Sequence, residues 1–175
     1  MRGVAWGIFI VVLSMVLLQP WIEMYNLVKD KIILDAAILS ACRVATRHAL
    51  EENYYGVEEN FGDLSASVDE DDFKGHFARA FEKTLNITEN TSTSGKMTFT
   101  PNEGHWHTIT VIMDFDDYDE GDFQNRMVTN AYIYLETRYA FRTPMMRGMA
   151  TALADVSELK FNMGVNRPYV IQIIN

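Results

Sequence analysis

The sequence predicts an α+β protein in which a long N-terminal helix packs on a small antiparallel β-sheet with one further helix. Three observations lead to this fold class. An uncharged apolar stretch of 19 residues, Val4 to Ile22, precedes an amphipathic stretch at 23–52 that contains neither glycine nor proline. After Gly95, apolar residues recur at every second position, which is the period of β-strands.

Residues 1–22 are predicted to form a transmembrane anchor. At ~1.5 Å per residue, 19 helical residues span about 28 Å, close to the hydrocarbon thickness of a bilayer. A cleaved secretory signal is the competing interpretation, because a short basic start before an apolar stretch fits both. The segment Gln19–Glu23 offers no pair of small residues for a signal peptidase, which favours the anchor. The residues assigned to the membrane are Trp6, Ile10, Leu13, Leu17 and Trp21.

The charges that flank this stretch predict a single-pass orientation. Arg2 and the terminal amine lie on the short side, so the positive-inside tendency places the N-terminus in the cytoplasm. Lys29 and Lys31 lie beyond the anchor and count against this orientation. We expect the remaining domain to be extracytoplasmic.

Residues 23–52 are predicted to continue the same helix, bent near Pro20, which removes one backbone hydrogen bond. Ala37, Ala41 and Ala45 recur every four residues. Small residues at this spacing allow another backbone to approach closely, so we assign this face to helix packing. Its partner is either the domain of the same chain or another subunit.

Residues 53–175 form the predicted α+β domain, which begins with a connection at 53–66. A second helix follows, with Ser67 and Glu70 as a capping box and acidic residues in its first turn. The polar segment 86–95 is interpreted as a loop. The apolar face of the second helix comprises Phe73, Phe77, Ala80 and Phe81.

The later part of the domain is predicted to be strands. Odd-numbered positions are mostly apolar in these segments, so one face of an antiparallel sheet should meet the helices. The predicted strands are 97–99, 107–115 and 131–141, with two more at 154–163 and 169–174.

Charge and cysteine content exclude several classes of function. A formal net charge of −9 argues against nucleic acid as a partner, because phosphate binding requires a basic surface. Cys42 is the only cysteine, so no intrachain disulfide can form, and we expect a buried thiol. The sequons at Asn86 and Asn90 matter only in a glycosylating compartment.

An acidic run at 114–122 provides the candidate metal site, since oxygen-rich segments bind hard cations such as calcium. It does not match the EF-hand order, and a solvated turn is the alternative interpretation. His105 and His107 flank Trp106 and would share one face of a strand, but no third ligand is evident. The proposed metal ligands are Asp114, Asp116, Asp117 and Asp119.

No catalytic motif is recognisable in the sequence. No GxSxG elbow surrounds a serine, no glycine-rich phosphate loop is present, and Cys42 and His48 lie on different helix faces. We therefore expect neither enzymatic activity nor an organic cofactor. Met145, Met146 and Met149 follow Pro144 and form either an adaptable contact surface or core filling.

Two segments carry a resemblance to a known family. The first is 32–45, IILDAAILSACRVA, an alanine-rich turn that leads to Arg43 and further small residues. The second is 139–144, YAFRTP, in which a tyrosine, a phenylalanine and a proline follow the pattern Tyr-x-Phe-x-x-Pro. Both resemble the TadE-like proteins, the pseudopilins of tight-adherence (Flp) pili, many of which end a strand with that pattern. The chain departs from the family at its start, because neither Gly3 nor Gly7 has a glutamate five residues beyond the adjacent bond.

This resemblance implies a membrane-anchored, pilin-like structural or assembly subunit of a pilus, secretion or conjugation-type envelope apparatus. Its partners would be the membrane and other subunits, including copies of itself. The alternative function is a membrane-tethered cation-binding or sensory domain that uses the acidic segment 114–122.

Overall fold

The computed structural model describes residues 2–56, 69–93, 95–102, 106–119, 126–152 and 162–174. Its first element is a single helix, α1 (Arg2–Gly56), of 55 residues, which includes Pro20. The predicted helix was shorter, because the connection was expected to begin at Asn53. Residues 53–55 contain no helix breaker, and α1 ends at Gly56.

Helix α1 has an apolar, exposed N-terminal half and a C-terminal half that contributes to the core. Among the described residues it is the one helix long and apolar enough to span a membrane, and its most apolar window is not buried. From residue 34 onward one face is buried because small and branched side chains recur along it. These side chains are Leu34, Ala37, Ile38, Ala41, Cys42 and Ala45.

Helix α2 (Glu70–Leu85) packs against α1 through a phenylalanine face. Its N-cap is Asp69, whose carboxylate accepts hydrogen bonds from the amides of Asp71 and Asp72. The predicted capping box placed this role on Ser67, which lies outside the described residues. The predicted apolar face is confirmed for Phe73, Phe77 and Phe81, with Ala78 buried and Ala80 partly buried.

The sheet is an antiparallel meander whose strands lie side by side in chain order. Both long helices cover one face, α1 against the last strand and α2 against the first two. The core between these layers joins the α2 phenylalanines to Phe99, Val111, Ile133 and Leu135. The strands are β1 (Ile87–Thr93), β2 (Lys96–Pro101), β3 (Ile109–Asp119), β4 (Arg126–Arg138) and β5 (Asn162–Ile174).

The predicted fold class is confirmed, but several elements differ. The segment predicted as a loop at 86–95 is largely strand β1, an edge strand rich in threonine, whose branched side chain favours extended backbone. Strand β3 begins later and ends later than predicted. Of the predicted strand 154–163, only Asn162 and Met163 are described, and they form the start of the long strand β5 rather than the end of a separate strand. Residues 153–161 lie outside the described residues.

A third helix, α3 (Pro144–Ala152), was not predicted. It begins five residues after Tyr139, which forms a single β-bridge with Trp106 rather than extending β4 to Phe141. Proline suits the first position of a helix because its missing N–H is unneeded there. The chain therefore turns from the sheet towards α1 between residues 139 and 144.

Candidate functional site

Two acidic residues of α1 are buried in the face that meets the domain. Glu23 is 4% exposed and Asp30 is 1% exposed. They are seven residues apart, so they lie on the same side of the helix, two turns from each other. A buried carboxylate is unfavourable unless it is hydrogen-bonded or paired, so both require partners.

The partners of Glu23 come from the segment that follows β4. Its Oε1 accepts hydrogen bonds from the amides of Arg142, at 2.7 Å, and Thr143, at 2.5 Å. Its Oε2 accepts a hydrogen bond of 2.5 Å from the hydroxyl of Tyr139. Burial raises the pKa of the Glu23 carboxyl, but these hydrogen bonds outweigh it, and the net pKa lies below the ordinary 4.5.

Asp30 is held by the side chain of Arg142. The Nη2 nitrogen lies 2.7 Å from each Asp30 carboxylate oxygen, so a single nitrogen serves both acceptors. Among the described residues, the buried Nε of Arg142 and Oγ1 of Thr143 have no hydrogen-bond partner. Arg142 thus contacts both acids, one through its backbone and one through its guanidinium.

Gln19 extends this arrangement by one turn towards the N-terminus. Its Oε1 accepts a hydrogen bond of 3.0 Å from the amide of Met145, in the first turn of α3. We call the whole arrangement the polar clamp. It consists of Gln19, Glu23 and Asp30 on α1 and Tyr139, Arg142, Thr143 and Met145 on the facing segment.

The polar clamp attaches a distant part of the domain to α1 with fixed geometry. Tyr139 and Glu23 are 116 positions apart in the chain. Burial raises the pKa of the Tyr139 hydroxyl, and its bond to Glu23 raises it further, so the phenol stays protonated and donates. Such an arrangement supplies orientation and rigidity.

The residues assigned to helix packing and to the membrane lie on different parts of α1. Ala37, Ala41 and Ala45 are buried in the core of their own chain, so this face is already covered. The five residues assigned to the membrane, Trp6, Ile10, Leu13, Leu17 and Trp21, are all exposed. Their exposure is consistent with contact to lipid, which remains a prediction.

The acidic run is strand through residue 119, which corrects its interpretation as a turn. Asp114 and Asp116 are exposed and, two residues apart in β3, share a face. The backbone of Asp117 and Asp119 continues β3 in register with Thr129 and Met127, and their side chains lie outside the described ones. Within the described part of the chain, no three His, Cys, Asp or Glu side chains form a group that could hold a metal ion. Calcium binding stays a prediction.

The histidines that the structure describes are not gathered into one site. His76 on α2 stacks on His48 of α1, with ring centroids 4.9 Å apart. His107 is exposed just before β3 and is not part of a strand, contrary to the prediction. His105 lies outside the described residues. The absence of enzymatic activity stays a prediction.

Sequence reasoning identified only one side of the polar clamp. The segment 139–144 was singled out by its resemblance, whereas Glu23 and Asp30 were not. A usable signal was present, because two acids seven residues apart fall on the stripe that continues through Leu34 and Ala41. A charge on an otherwise apolar stripe indicates a buried partner.

Comparison of the chain with protein-family models finds no match. Comparisons with curated proteins and with solved structures likewise find none.

Proposed function

We propose that this protein is a membrane-anchored, pilin-like structural subunit of an envelope assembly of the pilus, secretion or conjugation type. It acts by packing its long helix against neighbouring subunits and by lateral contacts of its sheet domain. One observation carries the proposal: the apolar surface of α1 continues well past the stretch that would lie in the bilayer. Tyr25 is 70% exposed and Ile32 is 63% exposed, with Val28 exposed between them.

These three side chains share one face of α1, opposite the buried face. Ile32 lies ten residues beyond Ile22, which places it about 15 Å above the end of the uncharged stretch at ~1.5 Å per residue. Lipid tails do not reach this height. Burying apolar surface is favourable by about 25 cal/mol per Å². A contiguous stripe of exposed apolar side chains is therefore typical of an interaction surface.

The alanine face cannot supply this contact in the folded protomer. Ala37, Ala41 and Ala45 meet the chain's own core, so contact between subunits is assigned to the opposite face. The stripe ends near Arg43, which is exposed on the same side of α1. The resemblance of segments 32–45 and 139–144 to TadE-like proteins supports the same kind of assembly.

Single cysteines on the stripe test the proposal. In a Cys42→Ala background, Ile32→Cys in native membranes should form dimers with a short bifunctional maleimide. The matched control, Arg79→Cys, is exposed on α2 away from the stripe and should remain monomeric. A monomeric Ile32→Cys at native expression would contradict helix packing between subunits.

The same control variant tests the orientation. With the N-terminus in the cytoplasm, Arg79→Cys should react with a membrane-impermeant maleimide added to intact cells. Labelling only after cell lysis would contradict an extracytoplasmic domain. Extraction of the unmodified protein by carbonate at high pH would contradict the anchor itself.

A further inference from the structure

Helix α3 separates its apolar and polar side chains onto two sides. Met145, Met149 and Ala152 lie along one side at helical spacing, whereas Arg147 and Thr151 lie on the other. None of the described residues of α3 is buried, and Met149 is 39% exposed. Met145 is half-buried, so within the described part of the chain it is the Met149 and Ala152 end of this methionine side that is left open.

The position of α3 along α1 indicates what covers this side. The Met145 amide donates to Oε1 of Gln19, three residues before Ile22 at the end of the uncharged stretch. Three residues correspond to about 4.5 Å of helix rise. In the anchored protein the first turn of α3 thus lies at the level of the bilayer surface, where lipid surrounds the chain.

The backbone that leads into α3 is suited to a poorly hydrated place. The amides of Arg142 and Thr143 both donate to Glu23, and the amide of Met145 donates to Gln19. Pro144 between them has no N–H to satisfy. Every backbone donor from 142 to 145 is therefore bonded to α1 or missing, as required where water is scarce.

From these observations we infer that α3 is an interfacial helix that rests on the leaflet facing the domain, with its methionine side among the upper acyl chains. This inference rests on the anchor of the proposed function. Unbranched thioethers adapt to a fluid surface. The exposed guanidinium of Arg147 donates one hydrogen bond to the carbonyl of Arg142, and its other N–H groups can reach lipid phosphates. The helix and the anchor together fix the height of the domain above the bilayer.

Site-directed spin labelling of the full-length chain tests the inference. In the Cys42→Ala background, Met149→Cys carries the nitroxide, and the protein is reconstituted into vesicles of phosphatidylethanolamine and phosphatidylglycerol. Collision rates with oxygen and with a water-soluble nickel complex are compared. We expect the oxygen-to-nickel ratio at Met149→Cys to exceed several-fold that at Thr151→Cys on the other side of α3. Val170→Cys, exposed on β5, serves as the aqueous reference.

The bilayer reference, Leu13→Cys, distinguishes failure of the interfacial helix from failure of the anchor. If the oxygen-to-nickel ratio reports lipid at Leu13→Cys but is the same at Met149→Cys as at Val170→Cys, the inference of an interfacial helix is wrong and the anchor is supported. If Met149→Cys is shielded from both reagents, protein covers α3 and the inference is also wrong. If Leu13→Cys itself reports water, the anchor fails, and with it the proposed function.

Discussion

Replacement of Glu23 by alanine should destabilise the domain more than any substitution of a surface acid. The carboxylate accepts three hydrogen bonds in a site that is almost closed to solvent. Without it, the amides of Arg142 and Thr143 and the hydroxyl of Tyr139 remain buried without an acceptor. Leaving a buried donor unsatisfied incurs its full desolvation penalty.

The size of the effect follows from these contacts. A hydrogen bond to a charged group contributes about 1.5–3 kcal/mol, so three would give an upper limit near 9 kcal/mol. The three share one carboxylate, and alanine leaves space for water, so the sum overstates the loss. We expect the free energy of unfolding to fall by about 3–5 kcal/mol, as when one member of a buried pair is removed. Glu23→Gln retains an amide oxygen as acceptor and should lose about 1–2 kcal/mol.

Urea titration of the full-length chain in detergent micelles measures this difference. Far-UV circular dichroism follows the loss of secondary structure. Trp6→Phe and Trp21→Phe leave Trp106, which forms a β-bridge with Tyr139, as the sole tryptophan, and its fluorescence follows the polar clamp. Asp116→Ala, an exposed acid on β3, is the control and should change stability by no more than ~0.5 kcal/mol. A Glu23→Ala protein as stable as this control would refute the structural role of the polar clamp.

Three further predictions concern single groups. The folded-state pKa of Glu23 is lowered, so the stability that its charge provides is fully present above pH 4.5 and is lost as the pH falls through the folded-state pKa. In urea titrations, the difference in free energy of unfolding between the natural chain and Glu23→Gln should therefore shrink below pH 4.5. Cys42 is fully buried, and burial raises the pKa of its thiol to about 12, although the charge of Arg167 lowers it by a smaller amount. The thiol should therefore react with maleimide at pH 7.5 only after denaturation. Fast labelling of the native protein would contradict the core packing of α1. Asp69→Ala removes the N-cap of α2 and should lower the free energy of unfolding by about 1 kcal/mol, whereas an unchanged urea midpoint would show that this cap contributes nothing.

Periodicity predicted the elements whose burial is one-sided and extends over many residues. The phenylalanine face of α2 and the odd-numbered core positions of β3 and β4 follow directly from spacings of 3.6 and 2 residues. Strand β1 has no such signal, because it is an edge strand with mostly exposed threonine, serine and asparagine. Its pairing with β2 is a tertiary property that polar composition conceals.

Helix α3 and the polar clamp were missed for related reasons. The nine residues of α3 are too few for a strong periodic pattern, although a threonine followed by Pro144 is a recognisable helix start. The polar clamp joins residues more than 100 positions apart, so no local window contains both sides. The resemblance marked only the segment 139–144, and the one local signal for the helix side was the placement of Glu23 and Asp30 on the apolar stripe of α1.

In the assembly that we propose, the polar clamp determines which side of α1 faces a neighbouring subunit. A domain joined to its anchor only by a flexible linker could rotate and cover any face of the helix. Here Glu23 and Asp30 are bonded to the same short segment two turns apart, which fixes both the height and the rotation of the domain about α1. Tyr25, Val28 and Ile32 therefore stay on the open side. Loosening the polar clamp should weaken crosslinking through Ile32→Cys even though Glu23 itself never contacts the neighbour.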